Sequence, residues 1–595
     1  MTAYLVRVLT PLALLLARPL GAQEDAFRAK PSPAGQAAPK VRAGEGEGPD
    51  QAWGRRQWWL ERMGGKLGPA FTQHLLDVAA QERAKYPGRF QPTSGSSLLP
   101  MAAAGSTWVN LGPTSSDFTQ NGVTLNKVDS GRPRVILPDT ADATGNTVYL
   151  LAAGGGLWKT TNFLSSAPTW APLTDFVGSN MSGSAAFGRT TATLYVGSGD
   201  PFDPGVGGFM ITSTNHGATW SKGVALGTAS AIMDVKVDTS QSQDIVLVGT
   251  DAGMFRSIDG GITYTPVTSV PGYVWSIVQT SAGWLASTVD STNDTGSLLL
   301  STDLGKTWNP ITNSGNVFTG AGRTTLGVGV PGDATVYAFA AAQGSAPFGE
   351  PRQLDLFRSP DGGQTWVALG ITALTPTNPN VDQATMDLMA GQAWYNQLLL
   401  VDPTDPSRNT VYLGGQLATA KTMDGGKTWT LLSDWLPNPS NNTGTMPYVH
   451  ADCHCAAFSA FGGISRIYFG TDGGLFTSTN GGTSWDDTKN KGLVTHLVYS
   501  LAANTAVSGS ALIGVQDNGT RIRSGTTSTF NQVQGGDGFG VGWSQANNAV
   551  SLSSYTYDAI ERSTTNPVTD QNNWVPFTTG LDPTGAASYY FVTPI

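Results

Sequence analysis

A short box recurs along this chain and leaves few folds open to it. The copies are STNHGATW (213–220), SIDGGITY (257–264), STDLGKTW (301–308), SPDGGQTW (359–366), TMDGGKTW (422–429) and STNGGTSW (478–485), and a degenerate TTNFLSSAPTW ends at Trp170. From Trp170 onward the closing aromatics follow at intervals of 50, 44, 44, 58, 63 and 56 residues. β-Rich runs such as TLYVGSG, IVLVGTDAGMFRS, TVYAFA, TVYLGG and RIYFGTDGGLFTS precede boxes, and residues 512–524 and 550–563 keep the strand pattern without one. A period of about 50 residues with several short strands in it specifies a β-propeller. One four-stranded blade cannot bury both faces alone, so neighbouring blades must stack on it.

The box has its own physical logic. Its Asp or Asn side chain accepts hydrogen bonds from backbone N–H groups of its own turn. The glycine supplies a positive φ at no steric cost. The hydroxyls tie the two arms together, and the closing indole packs between blades. A catalytic group is needed once, whereas this element recurs in blade after blade. Asp259, Asp303, Asp361, Asp424, Asn215 and Asn480, with Trp220, Trp308, Trp366, Trp429 and Trp485, are therefore expected to be structural.

Composition agrees with a β architecture. Glycine accounts for 74 of 595 residues and charged residues for 13%. Beyond residue 100 the glutamates are Glu350 and Glu561 alone, which argues against a long helical domain. The net charge of −9 and the lack of a basic stripe exclude nucleic acid as the expected partner. Cys453 and Cys455, at spacing two, cannot bridge each other without distortion. The start of the chain, MTAYLVR followed by VLTPLALLLA, has the charge and short apolar run of a secretory signal peptide. The run is too short to span a bilayer, and no later segment is long enough, so a secreted protein, extracellular or periplasmic, without a membrane span is expected.

Five segments are expected: a signal peptide at 1–22, a disordered linker at 23–50, a short helical segment and linker at 51–105, a first propeller at 106–495, and further blades at 496–595. The fold class is all-β, a propeller of four-stranded blades with a short N-terminal helical segment. Nine blade-like units lie between about 146 and 580, and SYYFVTPI resembles the opening strand of another. Seven blades plus part of a second propeller is the leading arrangement, and a single ring of nine or ten blades is the alternative. In either case the strand near Trp108 is a candidate to close a ring that otherwise ends on an open edge.

The boxes match the Asp-box, or BNR, repeat, which occurs in sialidases, in xyloglucanase-type glycoside hydrolases and in the ten-bladed propeller of sortilin-type receptors. NTVYLLAAGGGLWKTTN, YVGSGDPFDPGVGGFMITSTNHGATW and the block from VHADCHCAAF to QGGDGFGVGW resemble secreted bacterial sortilin-like and glycosidase-like proteins. The resemblance covers roughly 106–595. It implies architecture strongly and activity weakly, because many functions share such a fold. Xyloglucanases carry an aspartate where this chain reads Ala152 to Gly156, and the sialidase Arg-Ile-Pro signature is replaced by Arg132-Pro133-Arg134.

Three stretches are candidates for a ligand site. His450, Asp452 and His454 alternate and would share one strand face lining the channel. Such a face suits a divalent metal such as zinc, or a hydrogen-bonded polar cluster. Asp517 and Asp537 lie in glycine-flanked loops that either converge at the channel mouth or serve as ordinary hairpin turns. Asp200 and Asp203 lie in GSGDPFDPGVGG, which either faces substrate or makes a rigid surface excursion. No cofactor other than a metal is indicated, and no catalytic residue is assignable. The expected function is binding of a glycan or an extracellular polypeptide at the channel face. The alternatives are a glycoside hydrolase, which needs two carboxylates flanking the scissile bond, and a structural surface protein. Oligomeric state has no signature.

Overall fold

The computed structural model describes residues 68–85, then 110–577 with breaks at 117–118, 121–122, 125, 204, 291, 313–317, 345–350, 437–445, 557–558, 567 and 570, and residue 595. The expected leader at 1–22, the linker at 23–50, the helical expectation for 53–67, Trp108, Glu350 and Tyr557 lie outside these residues.

The chain is an all-β propeller. Nine antiparallel sheets of three or four strands succeed one another among the described residues, each a simple meander. They span 133–172, 182–225, 232–267, 273–310, 321–368, 398–431, 453–478, 498–534 and 541–576 and are called blades 1 to 9. The seventh has three strands, and its outer edge carries an isolated Thr477–Asp486 bridge. In blades 1 to 7 the first strands touch each other in sequence, so they are innermost and line the channel. The first strand of blade 7, Cys453–Phe461, lies against that of blade 1, Pro133–Pro138, which closes the ring at seven. Blades 8 and 9 pack on each other through Leu512, Ile522, Val533, Val541, Trp543 and Trp574. The ring therefore has seven blades, and blades 8 and 9 make a separate pair after it.

Among the described residues the ring closes without a strand from the N-terminal side. Residues 114–116 run instead to blade 8, where Ser115 bridges Thr529 in parallel and the N–H of Phe530 donates to the Ser115 carbonyl at 3.0 Å. The one helix described, Pro69–Lys85, lies beside the edge strand of blade 2, Val224–Ala225. Its Leu76 is fully buried in the seam between blades 1 and 2, and Lys222 pairs with Asp77 at 2.8 Å. A helix in that place shields a sheet edge. No helix among the described residues is long and apolar enough to cross a membrane.

Each box is a turn between the third and fourth strands of a blade, or past the third strand in blade 7, at the end of the ring where the first strands finish. In SIDGGITY the Ser257 hydroxyl donates to Asp259 at 2.7 Å. The Gly261 N–H donates to Ser257, and the Thr263 N–H and hydroxyl donate to Asp259 at 2.9 and 2.6 Å. The same pattern is built around Asp303, Asp361 and Asp424. Asn215 and Asn480 keep it with an amide, whose Nδ2 donates to Thr219 and Ser484. The last glycine of each of these boxes but that of blade 3 faces a leucine of the preceding blade. A Cβ at Gly305 or Gly426 would stand 2.4 or 2.7 Å from Leu247 or Leu369, and φ there is 78° or 99°.

The closing aromatics fill the seams. Trp308, Trp366 and Trp429 are buried among residues of their own blade and the one before it. Trp220, Tyr264 and Trp485 are half-buried against the corresponding seams. Trp170 packs with Tyr468 and Leu475, so blade 1 is joined to blade 7 in the same way. Cys453 and Cys455 are both free thiols.

Two outcomes follow from this seam. Trp429→Ala, at 1% exposure, removes an indole shared by blades 5 and 6. It is expected to destabilise the ring by about 3–5 kcal/mol in urea unfolding followed by circular dichroism. The box carboxylates supply a pH dependence. Burial alone would raise Asp303 and Asp424, but hydrogen bonds from Thr307 and Thr428 outweigh it and hold both at about 2, below their ordinary value of 3.8. Folded carboxyls that titrate below their unfolded value stabilise the fold at higher pH and lose that contribution as pH falls through the folded value. The unfolding temperature should therefore be flat above about pH 4 and fall between about pH 4 and 2. Replacing both aspartates by Asn, which two boxes already carry, should flatten that fall.

Candidate functional site

The starts of the first strands and the turns between second and third strands lie together at the end of the ring opposite the boxes. A loop of blade 2 dominates this end. Gly199 and Gly208 take φ of 99° and 78°, and a Cβ at Gly208 would stand 1.9 Å from the carbonyl oxygen of Ala229. These close approaches let residues 200–203 and 205–207 fold inward over the channel. Asp200, Phe202 and Asp203 are 0%, 1% and 3% exposed. The loop is neither a surface excursion nor a face open to solvent.

Its carboxylates meet Arg132, which precedes the inner strand of blade 1. Arg132 is 1% exposed, and its Nη2 lies 2.5 Å from both Asp200 and Asp203. Its Nη1 donates to the Tyr395 hydroxyl, which donates in turn to Asp472 at 2.6 Å. Burial penalises the Arg132 charge, but Asp200, Tyr395, Asp203 and Asp472 more than offset that and hold it firmly protonated. Asp472 is raised by burial and lowered further by His454 and Arg132, settling at about 2. Burial lowers His454 against the pull of Asp472, so we assign the neutral ring, with Nε2–H donating to Asp472 at 2.8 Å. An ionised Asp472 gripped by these donors is unsuited to deliver a proton near neutral pH.

The Phe202 ring plugs the centre. Trp275 stacks on it at 6.0 Å, Tyr395 meets it edge-on at 4.8 Å, and the guanidinium carbons of Arg134 and Arg323 lie 4.9 and 5.1 Å from its centroid. Trp394 completes the wall at 6.2 Å. Trp275, Trp394, Arg134 and Arg323 are all half-buried, in contrast to the closed cluster around Arg132.

The face expected for His450, Asp452 and His454 does not form. The strand begins at Cys453, Asp452 takes a left-handed φ of 63°, and a register shift follows between Cys453 and Cys455. Strict alternation is lost, and the three side chains go to different places. Asp452 accepts from Asn396 at 2.6 Å, His454 meets Asp472, and His450 lies by the Ala451 carbonyl at 3.2 Å. Among the described residues no group of three His, Cys, Asp or Glu is arranged to hold a metal ion. Asp517 and Asp537 do come together, the Asp517 N–H donating to the Asp537 carboxylate at 2.9 Å. The neighbouring Asn518 donates to the backbone oxygen of Asp472 at 2.9 Å, which joins blade 8 to the mouth of the ring.

A second buried cluster marks that junction. Asp129 pairs with Arg521 and with His496 at 3.1 Å. Burial would raise Asp129, but Arg521 and His496 hold it well below the carboxylate range. Glu561 stands apart on the third strand of blade 9, where Gln534 donates to it at 2.5 Å and burial raises its pKa.

Sequence reasoning missed Arg132, Tyr395 and Phe202. The available signal was charge matching: carboxylates in an inward-folding loop demand a cation, and Arg132 opens the first inner strand. No protein-family model matches the chain, and no curated protein matches its sequence. Among the solved structures that share its fold are three GH74 enzymes. The GH74 xyloglucanase of Xanthomonas campestris is 16% identical with a TM-score of 0.54, over 76% of this chain and 68% of that one. The GH74 enzyme of Niastella koreensis is 18% identical at 0.50, over 78% and 67%. An ancestral GH74 enzyme is 13% identical at 0.50, over 76% and 63%. The chain thus spans about two thirds of the length of these enzymes, and at these identities the likeness is one of fold.

The Arg132 cluster should behave as one unit. Arg132→Met alone leaves two carboxylates buried without their cation and should cost about 3–5 kcal/mol in urea unfolding. Adding Asp200→Asn and Asp203→Asn should recover most of that loss.

Proposed function

We propose that the chain is a secreted glycan-binding propeller whose ligand lies across the channel mouth on Trp275 and Trp394. The observation that carries this reading is the contrast between two sets of groups at one end of the ring. The carboxylates are enclosed and neutralised by Arg132, whereas the indoles of Trp275 and Trp394 remain half-exposed beside Arg134 and Arg323. Sugar rings stack on such aromatic faces while polar neighbours set their orientation. Secretion rests on the leader-like start of the chain, and the box hairpins are those of the Asp-box repeat.

Hydrolysis of a polysaccharide is the second reading. The fold shared with GH74 xyloglucanases favours it, as does the Asp517–Asp537 pair beside Asp472 at the junction with blade 8. Against it stand Ala153, buried at 1% where blade 1 turns, and the tight hold on Asp472.

A panel of plant and microbial polysaccharides, including xyloglucan, separates the two by titration calorimetry and reducing-end release. Binding without release of ends, weakened about tenfold by Trp275→Ala, is expected, since truncating an aromatic anchor at a binding surface costs more than about 1 kcal/mol. Release of ends that is abolished by Asp517→Asn would establish the hydrolase instead.

A further inference from the structure

Arg323 carries a charge that nothing nearby answers. It sits on the inner strand of blade 5, and its Nη1 donates to the backbone oxygens of Trp394 and Tyr395 at 2.8 Å each. Its guanidinium carbon lies 4.7 Å from the Trp275 ring centroid and 5.1 Å from that of Phe202. No carboxylate among the described residues reaches it. Asp200, Asp203 and Asp472 all close on Arg132, and only Asp200 comes near Arg134, at 3.7 Å. Burial, reinforced by the like charge of Arg134, lowers Arg323 to about 9. Buried cations are ordinarily paired. Its own Nε has no acceptor, and neither has Nε1 of Trp394, whose backbone oxygen it holds, nor Nε of Arg132, which faces the same Phe202 ring. His454 Nδ1, on a ring that also meets Phe202, is an acceptor without a donor. A surplus of donors around two guanidinium groups suits an anion, and the planar fork of arginine suits a carboxylate.

We infer that Arg323, with Arg134 beside it, is a subsite for a carboxylate carried by the ligand, which makes that ligand a uronate-bearing polysaccharide. The inference rests on the glycan-binding reading above. A polypeptide carboxylate offers the same charge, but the two half-exposed indoles flanking the guanidinium groups favour a sugar ring.

The test uses the full chain with polygalacturonate and alginate, each against its carboxyl-reduced counterpart, at fixed low salt. The acidic polymer is expected to bind at least about tenfold more tightly, the range of a charge-assisted pair. Arg323→Gln should abolish that preference, so that the acidic polymer binds it no more tightly than its carboxyl-reduced counterpart does. The unfolding temperature of the variant is measured alongside, so that loss of the preference is read on a folded protein. A measurement on the unaltered protein stands beside it: sodium glucuronate should raise the unfolding temperature more than glucose at matched ionic strength. Equal affinity for acidic and neutral polymers, or a preference that survives Arg323→Gln, overturns the carboxylate subsite and leaves glycan binding standing. Binding of no polymer overturns both. If a peptide with a free C-terminal carboxylate then binds through Arg323 and its amidated form does not, the site is a peptide clamp and the glycan assignment falls.

Discussion

Everything in this molecule depends on the seam between blades. A four-stranded sheet with two apolar faces is insoluble as a single unit, and the ring removes both faces from water at once. The boxes make the seam specific. Each turn fixes its own backbone through one carboxylate or amide, and that rigidity aims an aromatic ring at the blade before it. The final glycine of the turn lets a leucine of that blade approach within contact. Local hydrogen bonding and long-range packing are thereby one device, repeated around the axis.

The opposite end of the ring follows a different rule. There the inner strands begin, and polar groups converge where seven blades leave a narrow space. The chain fills it with Phe202 and balances buried charge around Arg132. Such a cluster gives up desolvation energy and returns geometric definition, since each partner is useful only in one position. What remains half-exposed beside it, Trp275, Trp394, Arg134 and Arg323, is held by this closed floor. The binding reading depends on that division between a sealed base and an accessible rim.

Much of the architecture was legible because it is periodic. Six boxes and the strands before them mark successive blades, and the closing indoles lie at the seams as the turn chemistry requires. The site was less legible because it is made once. Alternation placed His450, Asp452 and His454 on one face, but that argument holds only inside a regular strand, and Asp452 with its φ of 63° lies outside it. Pro201 and Pro204 suggested a loop projecting from the surface, whereas the need to neutralise Arg132 draws the same loop inward. The strand near Trp108 was a candidate to close the ring and lies outside the described residues; blades 1 and 7 pack directly on each other, and Ser115 pairs with blade 8.

That last contact has a mechanical meaning. Ser115 precedes the whole ring in the chain, yet its bridge partner, Thr529, follows it. The seven blades therefore form a loop whose two ends both meet blade 8, as a belt is held by its buckle. With Asp129 gripping Arg521 and Asn518 gripping the turn at Asp472, a twist of blade 8 against the ring would have to break ties on both sides of the closure. Rotation at that joint is resisted by covalent and hydrogen-bonded routes in parallel.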